Sequence, residues 1–178
     1  MKIVTGTSKR GSTNVTDNFD LDDGQRDQYY DYSDRNIQEI FSKVNYLVKE
    51  NNLNLVVIPS MRTPKGTIEH AKIYFGNDHL VLDGVDKKAY LSALSQSKHL
   101  VITCDSSSMI SEAALTGKPI YIATIPPKKS DKRFKYFRKL FQEMKIVREL
   151  GEKLENWNYE KLDETNRVAN IIKDKIQL

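Results

Sequence analysis

Cysteine occurs only once in this chain of 178 residues, which excludes an internal disulfide and any cysteine-rich zinc site. Cys104 stands at the end of an apolar run, where a thiol is expected as a small buried filler and not as a nucleophile. Histidine is almost as scarce. His70, His79 and His99 form no zinc spacing and no serine–histidine–aspartate set, so their expected roles are structural. Long hydrophobic runs are missing too: nothing approaches the roughly 20 apolar residues that a membrane-spanning helix requires. Met1–Thr5 leads at once into polar residues, without the apolar core of a secretory signal, and the expected location is cytoplasmic. Internal repeats and low-complexity tracts are absent. The net charge is only +4 and no recognition motif accompanies it, which argues against a nucleic-acid partner.

What remains is an ordinary soluble composition, 39% hydrophobic and 29% charged, in a chain long enough for one domain with a real core. Strands are expected at Lys2–Thr5, Leu53–Pro59, His79–Leu82, His99–Cys104 and Pro119–Ile125. Most are continuous apolar runs, the pattern of strands covered on both faces. Helical stripes alternate with them. Ile37, Ile40, Phe41, Val44, Leu47 and Val48 follow the capping candidates Ser33 and Asp34, and a second helix starts near Thr63-Pro64. Further stripes lie at Ala89–Leu94, Ser130–Lys145 and Thr165–Ile176. The alternation predicts an α/β fold: an open parallel Rossmann-like sheet with helices on both faces, joined by right-handed crossovers. Gly11–Ser33 is the exception, poor in periodicity and rich in turn formers, and is read as a long loop within the single domain. Its Asp-rich centre lacks the glutamate a calcium loop places at its twelfth position, where Asp31 stands instead, and no metal site is expected.

Ligands of such sheets bind at the carboxyl ends of the strands. That rim is expected to include the loops Gly6–Arg10, Ser60–Gly66, Asp83–Asp86, Asp105–Ser108 and Ile125–Ser130. One loop stands out. Asp105, Ser106, Ser107 and Ser108 lie between a strand and a helix, where the first backbone N–H groups lack carbonyl partners and carry the positive end of the helix dipole. Serine hydroxyls add donors there, so the turn suits a phosphate or diphosphate; the alternative is that one serine simply caps the helix. Glu112 does not complete a capping box, because three residues before it stands Met109. It follows Ser108 by four, one turn up on the same side, where a carboxylate can accept the two hydroxyls of a ribose. Its plain alternative is a solvated helix glutamate. Ser60, Arg62 and Thr63 end another strand on the expected rim, and Arg62 can pair bidentately with a phosphate.

Lys128–Arg148 is crowded with cations. Within it Arg133, Phe134, Tyr136, Phe137, Arg138 and Phe141 make a basic, aromatic, amphipathic segment. The ordinary reading is a helix packed on the sheet with its cations in water. The functional one is contact with an anionic membrane surface through Arg133, Phe134, Phe137 and Arg138, peripheral to the inner membrane. Trp157 with Tyr159 and Leu162 is expected to anchor the last helix.

The run from Lys98 through Asp105-Ser-Ser-Ser-Met-Ile-Ser-Glu112-Ala-Ala-Leu-Thr-Gly117-Lys-Pro119 resembles the donor-site pattern of GT-B glycosyltransferases. Taken with Pro59-Ser-Met-Arg-Thr-Pro64, Arg133-Phe134, Leu154-Glu-Asn-Trp157 and Leu162-Asp-Glu-Thr-Asn-Arg-Val-Ala169, the chain is more closely similar to the mitochondrial-fission (elongated-mitochondria) family of plants and its alphaproteobacterial relatives, from Leu53 to Ile176. That resemblance implies the carboxy-terminal half of a GT-B-like fold binding a nucleotide sugar. Ser106, Ser107 and Ser108 would hold the diphosphate, Glu112 the ribose, and Arg62 or Lys9 would add charge, Lys9 because Gly6-Thr-Ser-Lys9 resembles the glycine-containing loop that opens this half. Asp105, Ser60 and Thr63 would complete the rim. No cofactor and no metal is implied, and the partner would be a missing amino-terminal half or a separate chain. The alternative it implies is a non-catalytic interaction module.

Overall fold

The computed structural model describes residues 2–5 (backbone only), 29–61 and 63–176. Its elements alternate in chain order: β1 (Lys2–Thr5), α1 (Asp34–Glu50), β2 (Leu55–Ile58), α2 (Lys65–Phe75), β3 (Leu80–Val81), α3 (Lys87–Gln96), β4 (His99–Thr103), α4 (Ser107–Ala114), β5 (Ile120–Ala123), α5 (Lys132–Glu143), β6 (Val147–Glu149) and α6 (Glu164–Ile176). The strands form one six-stranded sheet in the order β3-β2-β1-β4-β5-β6. Every residue of β4 and β5 is buried, as strands covered on both faces must be.

The expected open α/β sheet is what forms. β2 pairs parallel with β3, and β4, β5 and β6 run parallel to one another. β1 departs from the all-parallel expectation, for it pairs antiparallel with both β2 and β4. A four-residue apolar run fits a central strand in either direction, so its sequence could not give the sense. In consequence the carboxyl ends of the other five strands share one edge, and that of β1 faces the other. β6 went unread because three residues, two of them exposed and charged, carry no strand pattern.

The helices cover both faces. In α1, Ile37, Ile40, Phe41, Val44, Leu47 and Val48 are buried, the stripe read from the sequence. Phe41 meets Tyr74 and Phe75 of α2, with ring centroids 5.8 and 5.0 Å away. Ser33 precedes α1 without a side-chain capping bond, whereas Asp86 caps α3 by accepting from the amides of Lys88 and Ala89. α1 packs against α2, and α4 against α5. α4 ends at Ala114 with Leu115 as its cap, and Gly117, with a φ of +71°, makes the left-handed turn that follows before β5. Trp157, Tyr159 and Leu162 pack against the core, and Trp157 Nε1 donates to the Lys145 carbonyl at 2.9 Å.

The described end of the expected long loop is not a solvated loop. Tyr30 is buried in the core and bridges Pro127, the Asp31 amide donates to the Pro126 carbonyl at 2.8 Å, and the Lys128 amide to the Tyr29 carbonyl at 2.8 Å. Aromatics among turn formers gave no periodicity from which to read this packing.

Truncating Phe41, which has no exposed surface, to alanine is expected to destabilise the fold by about 3–5 kcal/mol. Urea denaturation measures it; a loss below about 1 kcal/mol would place the core elsewhere.

Candidate functional site

The serine-rich turn is positioned by two central strands. β4 and β5 pair through Thr103 and Ala123, and the Cys104 amide extends the ladder to the Ala123 carbonyl at 3.0 Å. The chain then turns sharply, with the Ser106 amide donating to Thr103 at 3.4 Å, and the first helical bond runs from Ile110 to the Ser106 carbonyl at 3.1 Å. The amides of Ser107, Ser108 and Met109 therefore precede the bonded part of α4. Ser106 occupies the cap position but makes no side-chain capping bond, so the plain capping explanation of the serines does not describe this turn. Ser106 is buried, Ser107 is half-buried and Ser108 is exposed.

Opposite the turn stands the start of α5. A buried guanidinium fixes it there: Arg138 Nη1 donates to the Cys104 carbonyl at 2.9 Å, and Nη2 donates to Asp131 Oδ2 at 2.9 Å. The Tyr30 hydroxyl reaches the same carboxylate at 3.5 Å. Arg138 is 9% exposed, which corrects its expected place on a membrane-facing surface. Cationic type suggested an outward side chain, but the helical period turns position 138 inward beside Phe141. Phe137 is also turned inward and stacks on Phe141 at 4.3 Å.

Between α4 and α5 lies a cleft of about 310 Å³, lined by Ser107, Ser108, Ser111, Arg133, Phe134 and Phe137. No acidic side chain lines it, and its walls are three hydroxyls, one guanidinium and two phenyl rings. Two helix starts, α4 and α5, lie on it with their positive ends. Such a lining has the donors and charge to suit an anion and the rings to suit an apolar group. Of the serines expected at a diphosphate, Ser107 and Ser108 line this cleft and Ser106 does not; Ser111 was not singled out, and Arg133, Phe134 and Phe137 were expected either on a sheet-packing helix or at a membrane surface. Ser111 stands three residues after Ser108 and four after Ser107, so the helical period held the missing signal.

Other expected site residues are placed apart from this cleft. Glu112 is exposed on the flank of α4 toward α3, where its carboxylate accepts the Tyr90 hydroxyl. Burial, then the hydrogen bond to Glu112, pushes the Tyr90 hydroxyl well above the usual phenol range. Asp105 is buried and accepts from the Tyr32 hydroxyl at 2.8 Å. Ser60 and Thr63 are tied to each other: the Ser60 amide donates to Thr63 Oγ1 at 2.8 Å and the Thr63 amide to the Ser60 carbonyl at 2.9 Å. That turn ends β2, two strands from β4, roughly 10 Å along the same edge. Arg62, Lys9 and the Gly6–Arg10 turn lie outside the described residues. His99 meets Asn156 Oδ1 at 3.1 Å, and burial holds its ring below the usual range; His70 faces Asp34 at 3.4 Å. Among the described residues no three His, Cys, Asp or Glu side chains group to hold a metal, and no helix is long and apolar enough to cross a membrane.

An open α/β domain with a cleft lined by hydroxyls, one guanidinium and two rings belongs to a broad structural class that serves many functions. Within it, the chain matches the mitochondrial fission ELM1 family over residues 24–176 and belongs to that family. It is 39% identical over 92 residues to the uncharacterized protein RP120 of Rickettsia prowazekii, covering 50% of this chain and 26% of that one. It is 30% identical over 111 residues to mitochondrial fission protein ELM1 of Arabidopsis thaliana, covering 61% of this chain and 24% of that one. The chain thus spans about a quarter of the length of these curated relatives. No solved structure matches it significantly.

Cys104 lies under the turn, accepting from the Ile125 amide at 3.2 Å, and burial pushes its thiol up from 9.0 to about 11. Because the thiolate is the reactive form, the folded chain is expected to resist Ellman's reagent at neutral pH and to react at once in denaturant. The folded thiol ionises later than the unfolded one, so its contribution to stability is complete below about pH 9 and is lost as pH rises toward 11. Equal reaction rates in the folded and denatured chain would contradict this burial.

Proposed function

We propose that the cleft between α4 and α5 holds the diphosphate of a nucleotide sugar, and that the domain is the donor-binding half of a GT-B-like glycosyltransferase. The observation that carries this reading is the lining itself: Ser107, Ser108 and Ser111 face Arg133 without any carboxylate among them. Backbone amides at the start of α4 supply directed donors, the hydroxyls add more, and Arg133 supplies a full positive charge with planar donors. At about 310 Å³ the cleft lies at the small end for ligand pockets. It fits the phosphates and an adjoining ring against Phe134 and Phe137, with the remaining nucleoside extending over the rim. A ribose at Glu112 would have to share or replace the Tyr90 hydroxyl that the carboxylate already accepts.

In a transfer reaction the bond between the sugar's anomeric carbon and the diphosphate oxygen breaks, and the oxygen keeps the electron pair. Donors held in place around that oxygen stabilise the charge as it grows. Ser107, Ser108, Arg133 and the α4 amides are the groups that would do so. The acceptor and the group that takes its proton would come from outside this chain, which spans about a quarter of its relatives' length.

A second reading is an interaction module without transfer activity. It is favoured by α6, none of whose residues is buried, and which exposes Val168, Ile171, Ile172 and Ile176. The Arabidopsis relative is named a mitochondrial fission protein, a description that specifies no enzyme.

Calorimetric and thermal-shift titration with UDP, GDP, CMP and ADP separates the readings. Saturable binding of at least one diphosphate is expected, weakened roughly ten- to a hundredfold by Arg133→Ala, the worth of one charge-assisted hydrogen bond. Glu112→Ala is expected to weaken the nucleotide while leaving pyrophosphate unaffected. Absence of binding by all four would reject the donor reading in favour of the module.

A further inference from the structure

The packing of α5 sorts its side chains into two sets. Phe137, Arg138 and Phe141 turn toward the protein, the last two buried, and Phe134 lines the cleft. The other face carries Tyr136, Leu140 and Met144, which are 73%, 42% and 45% exposed. Their spacing of four places them in one row. Lys132, Lys135 and Lys139 are exposed beside that row, and Lys128 and Lys129 are exposed just before the helix. Glu143 is the one acid among the twelve helix residues, against three lysines and two arginines; it lies 3.7 Å from Lys139. The helix therefore presents an apolar row along a basic ridge, although its aromatic inner face is already occupied by the protein.

We propose that this outward face of α5 docks on an anionic lipid bilayer. The proposal is independent of the nucleotide reading. Charge complementarity selects the partner: five exposed lysines, of which Lys128 lies 3.9 Å from Asp31, outnumber the two acids of the same stretch, Glu143 and the Asp131 already paired with Arg138, and meet a phosphatidylserine-bearing surface favourably. The apolar row selects a bilayer over a nucleic acid, because Leu140 and Met144 gain nothing against a phosphodiester backbone but can enter the acyl boundary. Tyr136 suits the headgroup level, and the long lysine stems let their ammonium groups stay in water while the row is buried. Arg133, one residue into the same helix, lines the cleft, so docking would bring the cleft mouth to the membrane surface.

The test is co-sedimentation of the chain with vesicles of phosphatidylcholine alone and of equal parts phosphatidylcholine and phosphatidylserine. Binding is expected to the anionic vesicles only and to fall with added salt. Each lysine near the surface is worth roughly a fivefold change in partitioning, so Lys135→Glu with Lys139→Glu should lower it by at least tenfold. Tyr136→Asp with Leu140→Asp should abolish it at low salt, while Ile73→Asp on the exposed side of α2 should leave it unchanged. Circular dichroism checks that each variant is folded. No binding to anionic vesicles, binding that survives either pair of substitutions, or binding to a DNA or RNA duplex without binding to vesicles would overturn the proposal.

Discussion

The guanidinium of Arg138 joins three parts of the chain that are far apart in sequence. It holds the carbonyl of Cys104 at the end of β4 and the carboxylate of Asp131 at the start of α5, and Tyr30 closes on the same carboxylate. Burying a charge is costly unless it is paired and hydrogen-bonded, and here both conditions are met. The consequence is geometric: the start of α5 is pinned against the turn that opens α4, so the distance between the serines and Arg133 is set by the core. A site whose walls are fixed in this way loses little freedom when a ligand enters.

The same joint separates what could be read in the sequence from what could not. Continuous apolar runs gave β4 and β5, and the spacing of Ile37 through Val48 gave α1, because burial on one stripe or two faces leaves a direct trace. The direction of β1 left none. Arg138 and Arg133 are the same residue type five positions apart, one buried and one lining a cleft, and charge alone could not assign them. A helical wheel centred on Phe141 would have turned Arg138 inward. Tyr30 could not have been told apart from its neighbours Tyr29 and Tyr32, since an aromatic in a turn-rich stretch gains its place only from the segment it meets, here Pro127.

At the candidate site, the serine turn was legible because a strand, a polar turn and a helix in that order have few physical meanings. Its expected partner was not. Glu112 was placed one turn above Ser108 correctly, but the wheel offers two flanks at that height, and the carboxylate lies on the one facing Tyr90. Family membership does not decide chemistry, since one fold hosts many functions. What favours an anionic ligand is the charge and placement of a few side chains around one cleft.

On the proposed reading an anion binds between the start of α4 and Arg133. Backbone and arginine side-chain NMR during titration with UDP tests it most directly, because it reports the location of binding and not merely its occurrence. Saturable shifts are expected to concentrate at the amides of Ser107, Ser108 and Met109 and at the Arg133 Nε, with the amides of α1 and α2 unmoved. Shifts centred elsewhere, or none at these positions at saturating nucleotide, would contradict it.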